Sequence, residues 1–208
     1  MNNDFKQGPF RTASNLILAS SSPRRQHLLA GLGLHFRVQP SPFKEPLPDP
    51  GVQPQQYVLD MARLKAGSVA AQQTDSVILA ADTIVVLGKK ILGKPRDKKE
   101  ALDMLLSLGG ETHEVLTACC ITDTRSDAEE TFVLKTAVTM AHHPPSILEV
   151  YVDSGEPLDK AGGYAIQGSG CFLINSIHGS YSNVIGLPLP ETLAVLLKIR
   201  AISAVREN

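Results

Sequence analysis

"SVILAADTIVVLGKKILGKP", residues 76–95, decides the architecture. Val77 to Ala81 and Ile84 to Val86 are apolar at odd and even positions alike, which predicts a strand covered on both faces. Asp82 and Thr83 interrupt the run, and the strand is expected to break there. Gly88 supplies a hairpin turn, and a short further strand ends before Pro95, which has no N–H to continue a ladder. A carboxylate placed in such a run costs several kcal/mol to desolvate unless a cation, a metal or hydrogen bonds offset it. Asp82 is therefore a candidate functional residue, the competing reading being an aspartate that caps a bulge with Thr83 as its partner.

Toward the N-terminus, "LILASSSPRRQHLLAGLGL", residues 16–34, reads as an apolar strand leading into a helix capped by Ser22, with Pro23 at the first helical position. Arg24 and Arg25 then fall in the first turn. A helix N-terminus carries roughly +0.5 of an elementary charge, so each arginine there loses a few tenths of a kcal/mol unless an anion offsets it. Ser20, Ser22, the free N–H groups of the helix start and the two guanidinium forks suit a triphosphate. The arginines lie about 100° apart around the helix, so one is expected to face the ligand and the other to support it. The bland alternative is a capped helix with solvated arginines. Gly31 and Gly33 end the helix, "HFRVQP" reads as a second strand, and residues 41–54 hold five prolines and form a loop that contains Glu45. Residues 55–72 have helical spacing, with Lys65 on the face that carries Val58, Met61, Ala62 and Val69.

Toward the C-terminus, Asp97 and Glu100 form a capping-box pair that starts a helix, and two strands, 112–123 and 130–141, are joined by a polar turn. "PPSILEVYVDSG" is a further helix, residues 154–170 are glycine-rich and irregular, and a last helix runs from near Pro190. The alternation of strands and helices without repeats predicts an α/β class, or α+β with a mixed sheet. Lys94 is confined between Gly93 and Pro95, and the irregular segment concentrates Asp159, Lys160, Tyr164 and Gln167. The Gln167 amide offers one donor and one acceptor, as a uracil or thymine edge requires. Glu45 with Asp82 suits a hard divalent ion, which favours carboxylates, water and phosphate oxygens. His113 is read as structural, and His142 and His143 as solvated loop residues.

The chain has 208 residues, 43% of them hydrophobic, enough for a large core. Twenty Lys and Arg against 21 Asp and Glu leave no basic field for nonspecific nucleic-acid binding, and any anion site must be local. No nucleic-acid or membrane partner is expected. Cys119, Cys120 and Cys171 lack metal-ligand spacing and read as buried thiols in a reducing compartment. Residues 1–15 lack the apolar core of a signal peptide and read as a polar, loosely ordered extension, with residues 16–208 as one domain of two lobes in a cytoplasmic protein. The Walker pattern and the dinucleotide-binding fingerprint are both absent.

Taken in order, "LASSSPRR", "ADTIV", "GKP", "HEVLTA", "EPLDKAGGYAIQG" and "GSYSNVIGLPL" resemble the Maf family of nucleoside triphosphate pyrophosphatases over residues 16–200, and "YAIQG" resembles its dTTP/UTP branch. The resemblance implies a Maf/ITPase-like α/β fold, a mixed sheet with helices and two lobes around a deep cleft, usually as a homodimer. It also implies cleavage of dTTP and UTP, and of related modified pyrimidine triphosphates, to monophosphate and pyrophosphate with Mg2+ or Mn2+. This is a nucleotide-pool cleaning role that the family associates with cell-division arrest. Asp82 then matches the proton acceptor, and Arg24, Thr83 and Gln167 match positions tied to substrate choice. Glu45, Lys65, Lys94, Asp159 and Lys160 fall on other polar positions of the cleft. Two alternatives stay open: a pyrophosphatase for another base, such as 7-methyl-GTP, and a non-catalytic nucleotide-binding regulator of septum formation.

Overall fold

The structure is a computed structural model that describes residues 8–49 and 51–205. In chain order it contains β1 (Phe10–Thr12), β2 (Leu16–Leu18), α1 (Pro23–Ala30), β3 (Arg37–Val38), α2 (Pro54–Ala70), β4 (Val77–Leu87) and β5 (Lys90–Leu92). There follow α3 (Lys98–Leu108), β6 (Thr112–Asp123), β7 (Ala128–Met140), α4 (Pro145–Asp153) and three 3-10 turns, Glu156–Asp159, Ala161–Gly163 and Ser169–Leu173. The chain closes with β8 (Ile174–His178), α5 (Tyr181–Ile185), α6 (Leu189–Lys198) and β9 (Ile202–Ala204). The main sheet has the order β3-β2-β4-β6-β7-β8, with β5 paired to the end of β4. β3, β2 and β4 are parallel while β4, β6, β7 and β8 alternate antiparallel, so the sheet is mixed, as the alternating elements predict.

β4 does not break at Asp82. Its ladder with β6 continues through Asp82 opposite Ala118 and Thr83 opposite Thr117, because a side chain that finds a partner off the sheet leaves the backbone pairing intact. The period-2 alternation of the strand then sorts its residues. Ile78, Ala80, Ile84 and Val86 face α2, where Val58, Ala62, Ala66 and Val69 cover them. Val77, Leu79 and Ala81 face the other way and pack with Leu29 of α1 and Leu196 of α6. Farther along that second face, Val85, Val115 and Val138 join a separate core with α3, α4 and Tyr164. Each of the fully buried aliphatic side chains contributes about 1.5–3 kcal/mol. Thr83 falls between the two cores of the second face, and Asp82 points to the α2 face.

Several expectations need correction. Residues 1–7 of the expected N-terminal extension lie outside the described residues, but Phe10–Thr12 is not loose: it pairs antiparallel with β9, and Phe10 packs against the core beside α6. β9 escapes the helical reading of the last residues because α6 ends at Lys198 and Arg200 adopts φ 57°, after which Ile202 turns inward as a buried strand residue. Cys119 and Cys120 are buried on opposite faces of β6, and burial pushes both thiols up to about 12, so they stay protonated. Cys171, by contrast, is exposed, because Leu173 takes the inward position of its 3-10 turn. Among the described residues no helix is long and apolar enough to cross a membrane.

Candidate active site

Asp82 is 5% exposed. Its Oδ1 accepts a hydrogen bond from Lys65 Nζ at 2.6 Å, and the same ammonium forms an ion pair with Glu45 Oε1, also at 2.6 Å. This explains how a carboxylate is tolerated in so apolar a strand: α2, packed on that face, delivers a cation to it. Asp82 Oδ2 is buried and has no hydrogen-bond partner. Burial pushes the Glu45 carboxyl up, but Lys65, Lys94 and Arg25 outweigh it and hold the group below the usual carboxylate range. Burial, with Asp82 and Glu45 nearby, pushes the Tyr57 phenol up to about 12, so it stays a donor and binds Pro46 O at 2.9 Å, tethering the proline-rich loop.

The two arginines divide as their 100° separation around the helix predicts. Arg24 forms a 3.3 Å ion pair with Asp159, which in turn pairs with Lys160 at 2.6 Å. Arg25 turns inward. Its Nε donates to Gly186 O (2.7 Å), one terminal nitrogen to Ala81 O (2.7 Å) and Ser20 Oγ (3.1 Å), and the other to Thr83 Oγ1 (3.1 Å). The anion expected opposite Arg25 is therefore replaced by two backbone carbonyls and two hydroxyls of the protein itself. Burial lowers the pKa of this guanidinium, while Asp82 pulls it upward. Because Arg25 only donates and Asn183 O only accepts, the two hydroxyls between them are oriented in one direction: Arg25 to Thr83, Thr83 to Thr117 (3.0 Å), Thr117 to Asn183 O (3.0 Å). Ser22 occupies the N-cap position of α1 but its side chain makes no capping bond; its N–H donates instead to Ser20 Oγ at 3.2 Å.

These groups open onto a cleft of about 1080 Å³. Ser22, Arg24, Arg25, Glu45, Lys65, Asp82, Thr83, Lys94, Asp159, Lys160 and Gln167 all line it, and Ser20 lines a smaller adjoining recess of about 240 Å³. Gln167 stands exposed on the wall, near Tyr164, Ala165 and Ile166. The glycines of the irregular segment make this approach possible: a Cβ on Gly162 would come within 2.9 Å of Val85, and Gly162 N donates to Gly93 O beside Lys94. Lys90, Arg96 and Lys99 stand along the β5–α3 side together with Asp97, Glu100 and Asp103, Arg96 paired with Glu100 at 2.9 Å; in the sequence they look like ordinary solvated residues.

The oxygens present fit a hard divalent cation. Asp82 and Glu45 share one ammonium, so their bonded oxygens are no more than twice 2.6 Å apart, and Asp82 Oδ2 is a buried acceptor without a donor. Among the described residues no group of three or more His, Cys, Asp or Glu is assembled for a metal.

The other side of the cleft rests on a pair that sequence inspection only half identified. His113 is 1% exposed, and its Nε2 lies 2.6 Å from Tyr164 OH, the rings meeting edge to face. Burial pushes the His113 pKa down to about 4 and raises that of Tyr164. An imidazole held neutral in the fold but free to protonate when unfolded makes the unfolded state the better proton acceptor below pH 6.5. This contribution to stability is intact above pH 6.5, falls as the pH drops toward 4, and amounts to about 3 kcal/mol across that window. In urea unfolding at pH 7.5 and 4.5, the wild type is expected to lose more stability on acidification than His113→Gln. Equal losses would show that His113 is not the group responsible.

Fold and cleft define an α/β protein that gathers carboxylates and cations around one buried aspartate. Residues 15–199 match the Maf-like protein family, and the chain belongs to it. It is 47% identical over 195 residues to a dTTP/UTP pyrophosphatase of Nitratidesulfovibrio vulgaris, covering 94% of this chain and 92% of that protein. It is also 49% identical to a dTTP/UTP pyrophosphatase of Anaeromyxobacter dehalogenans (88% and 93% covered) and 48% identical to one of Myxococcus xanthus (87% and 90% covered). A crystal structure of a nucleoside-triphosphatase, dITP/XTP pyrophosphatase, from Mycobacterium abscessus overlaps with a TM-score of 0.42 at 14% identity, covering 90% of this chain and 96% of that one.

Proposed function

We propose that this protein hydrolyses dTTP and UTP at the α-phosphorus, giving the monophosphate and pyrophosphate. The observation that carries the reading is the buried Asp82, whose Oδ2 has no partner, at the wall of a cleft that also gathers Arg24, Lys65, Lys94 and Lys160, in a chain nearly half identical to proteins that bear that name. Asp82 Oδ2 accepts the proton of the attacking water, while Lys65 holds Oδ1 and fixes the carboxylate plane. Arg24, freed from Asp159, joins Lys94 and Lys160 in meeting the charge that grows on the departing pyrophosphate. Arg25 is assigned positioning rather than phosphate contact, since four acceptors of the protein already engage it. Asp82 and Glu45 would hold Mg2+ or Mn2+, which when bound neutralises phosphate charge and orients the chain of phosphates. Gln167 reads the pyrimidine edge, Thr83 borders it, and modified pyrimidine triphosphates fall within the same reach. A homodimer in the cytoplasm, with no nucleic-acid or membrane partner, belongs to the same reading.

The test is product identification after incubation with Mg2+ and, separately, dTTP, UTP, dCTP, GTP and 7-methyl-GTP. Monophosphate with pyrophosphate from dTTP and UTP alone is expected. Orthophosphate would mean attack at a different phosphorus, turnover of 7-methyl-GTP alone would move the protein to the other branch, and tight binding without product would favour a regulator. Gln167→Glu replaces the amide donor by an acceptor, so kcat/KM for dTTP and UTP is expected to fall roughly 100-fold or more, as for other lost hydrogen bonds to a substrate edge. Unchanged kcat/KM would remove Gln167 from base recognition.

A further inference from the structure

The Glu156 carboxylate is half-buried at the start of the irregular segment and accepts four hydrogen bonds. Oε2 takes them from Ser169 N (3.1 Å) and Ser169 Oγ (2.6 Å), and Oε1 from Gly170 N (3.0 Å) and Tyr151 OH (3.2 Å). The segment is thereby closed on itself, Ser169 lying thirteen positions after Glu156. The glycines around it leave room for this and for nothing more. Gly168 adopts φ 87°, ψ −154°, and a Cβ there would lie 3.0 Å from Glu156 Oε2; a Cβ on Gly170 would lie 2.4 Å from Tyr151 OH. Hydrogen bonds to an ionised carboxylate are the strong ones, and their sum holds Glu156 below the usual range although burial pushes it upward. On the other side of Gln167, Tyr164 is fixed by His113. Gln167 thus sits between two anchors, three residues after one and two before the other, and contributes to neither.

We propose that Glu156 is a specificity-positioning residue: it acts through the backbone of residues 168–170 to set where the Gln167 amide meets the base. The inference rests on the reading of Gln167 as the group that meets the pyrimidine edge. A primary amide pairs with uracil by donating to O4 and accepting from N3–H; turned over, it pairs as well with cytosine, which offers the reverse pattern. Chemistry alone therefore does not separate the two bases. Discrimination comes from the place and orientation that the surrounding backbone imposes on the amide, and a loosened segment lets it adopt the arrangement that suits cytosine.

The deciding quantity is the ratio of kcat/KM for UTP over that for CTP, measured with Mg2+ for wild type, Glu156→Gln, Gln167→Ala and the double variant. Glu156→Gln is expected to lower the ratio at least ten-fold, with KM for UTP rising more than kcat falls, and to add no further loss of ratio in the Gln167→Ala background. A merely structural role would slow both substrates alike and leave the ratio where it was. Ser169→Ala, which removes a single donor from Oε2, is expected to move the ratio in the same direction by a smaller factor and stands in should Glu156→Gln fail to fold. If Gln167→Ala collapses the ratio and the Glu156 and Ser169 variants leave it intact, the proposal is overturned while the reading of Gln167 stands. A ratio unmoved by Gln167→Ala overturns that reading, and this inference with it.

Discussion

Asp82→Asn is expected to lower turnover of dTTP and UTP by about three orders of magnitude while triphosphate affinity changes only a few-fold. The asparagine keeps an oxygen for Lys65 Nζ, and Glu45 still holds that ammonium from its other side, so the polar arrangement facing α2 survives. What is lost is specific: Oδ2, the acceptor with no donor in the fold, becomes an NH2 group that cannot take a proton from water. The same NH2 group is buried without an acceptor, so a loss of about 1–3 kcal/mol of stability accompanies the substitution. Single-turnover kinetics alongside calorimetric titration with UTP separates the two effects. Turnover within ten-fold of wild type would remove Asp82 from proton transfer, and a parallel collapse of affinity would mean that its role lies in binding.

Arg25→Met carries the second large effect, on stability as well as rate. Arg25 donates to Ala81 O and Thr83 Oγ1, the residues on either side of Asp82, and to Ser20 Oγ and Gly186 O from two other parts of the chain. Removing the fork leaves these acceptors short of donors, and a loss of about 3 kcal/mol, or roughly 10 °C in the melting temperature of a domain this size, is expected. Turnover is expected to drop about 100-fold, because a shift of the middle of β4 by an ångström is enough to misplace a catalytic carboxylate. Arg25→Lys discriminates between fork and charge. A lysine preserves the charge but cannot span four acceptors in a plane, so it should resemble Arg25→Met; recovery of activity would mean that the charge meets phosphate directly. Thermal denaturation and steady-state kinetics on both variants provide the check.

The path from sequence to site was legible where side-chain chemistry conflicts with its local setting. A carboxylate inside Val77–Val86 demands a cation, and arginines at a helix start demand acceptors; both demands are visible in the residues themselves, and Lys65 and the Ser20–Thr83–Gly186 cradle meet them. The identity of the partners was not legible, because α2 and the turn after α5 come near only through packing. Arg25 shows this: the same charge that suggests an external anion is met by Ala81 and Gly186 carbonyls, which carry no sequence signature. The β1–β9 pair stayed hidden because three-residue strands have too few positions for alternation to register. Edge strand β8 escaped because its two core-facing residues, Ile174 and Ile177, are three apart, the register shift opposite Thr139 and Met140 breaking the alternation of two. Glu156 reads as an ordinary loop acid until Ser169 and Gly170 fold back onto it, although the GSG that accommodates it is a usable cue in retrospect.

That Asp82 and Thr83 are adjacent yet serve opposite faces of the sheet has a consequence for how the chain can fail. Were β4 to pair one residue out of step with β6, the aspartate would turn toward Arg25 and the hydroxyl toward Lys65, and every apolar residue of the strand would exchange α2 for α1 and α6 or the reverse. The small Ala80 and Ala81 would then stand in places shaped by their neighbours, and two ionic partners would be mismatched at once. A misaligned molecule is thus penalised in its interior and silenced in its chemistry by a single event. Specific activity per folded molecule should stay constant through partial denaturation, because the alignment that makes the protein stable is the one that makes it an enzyme.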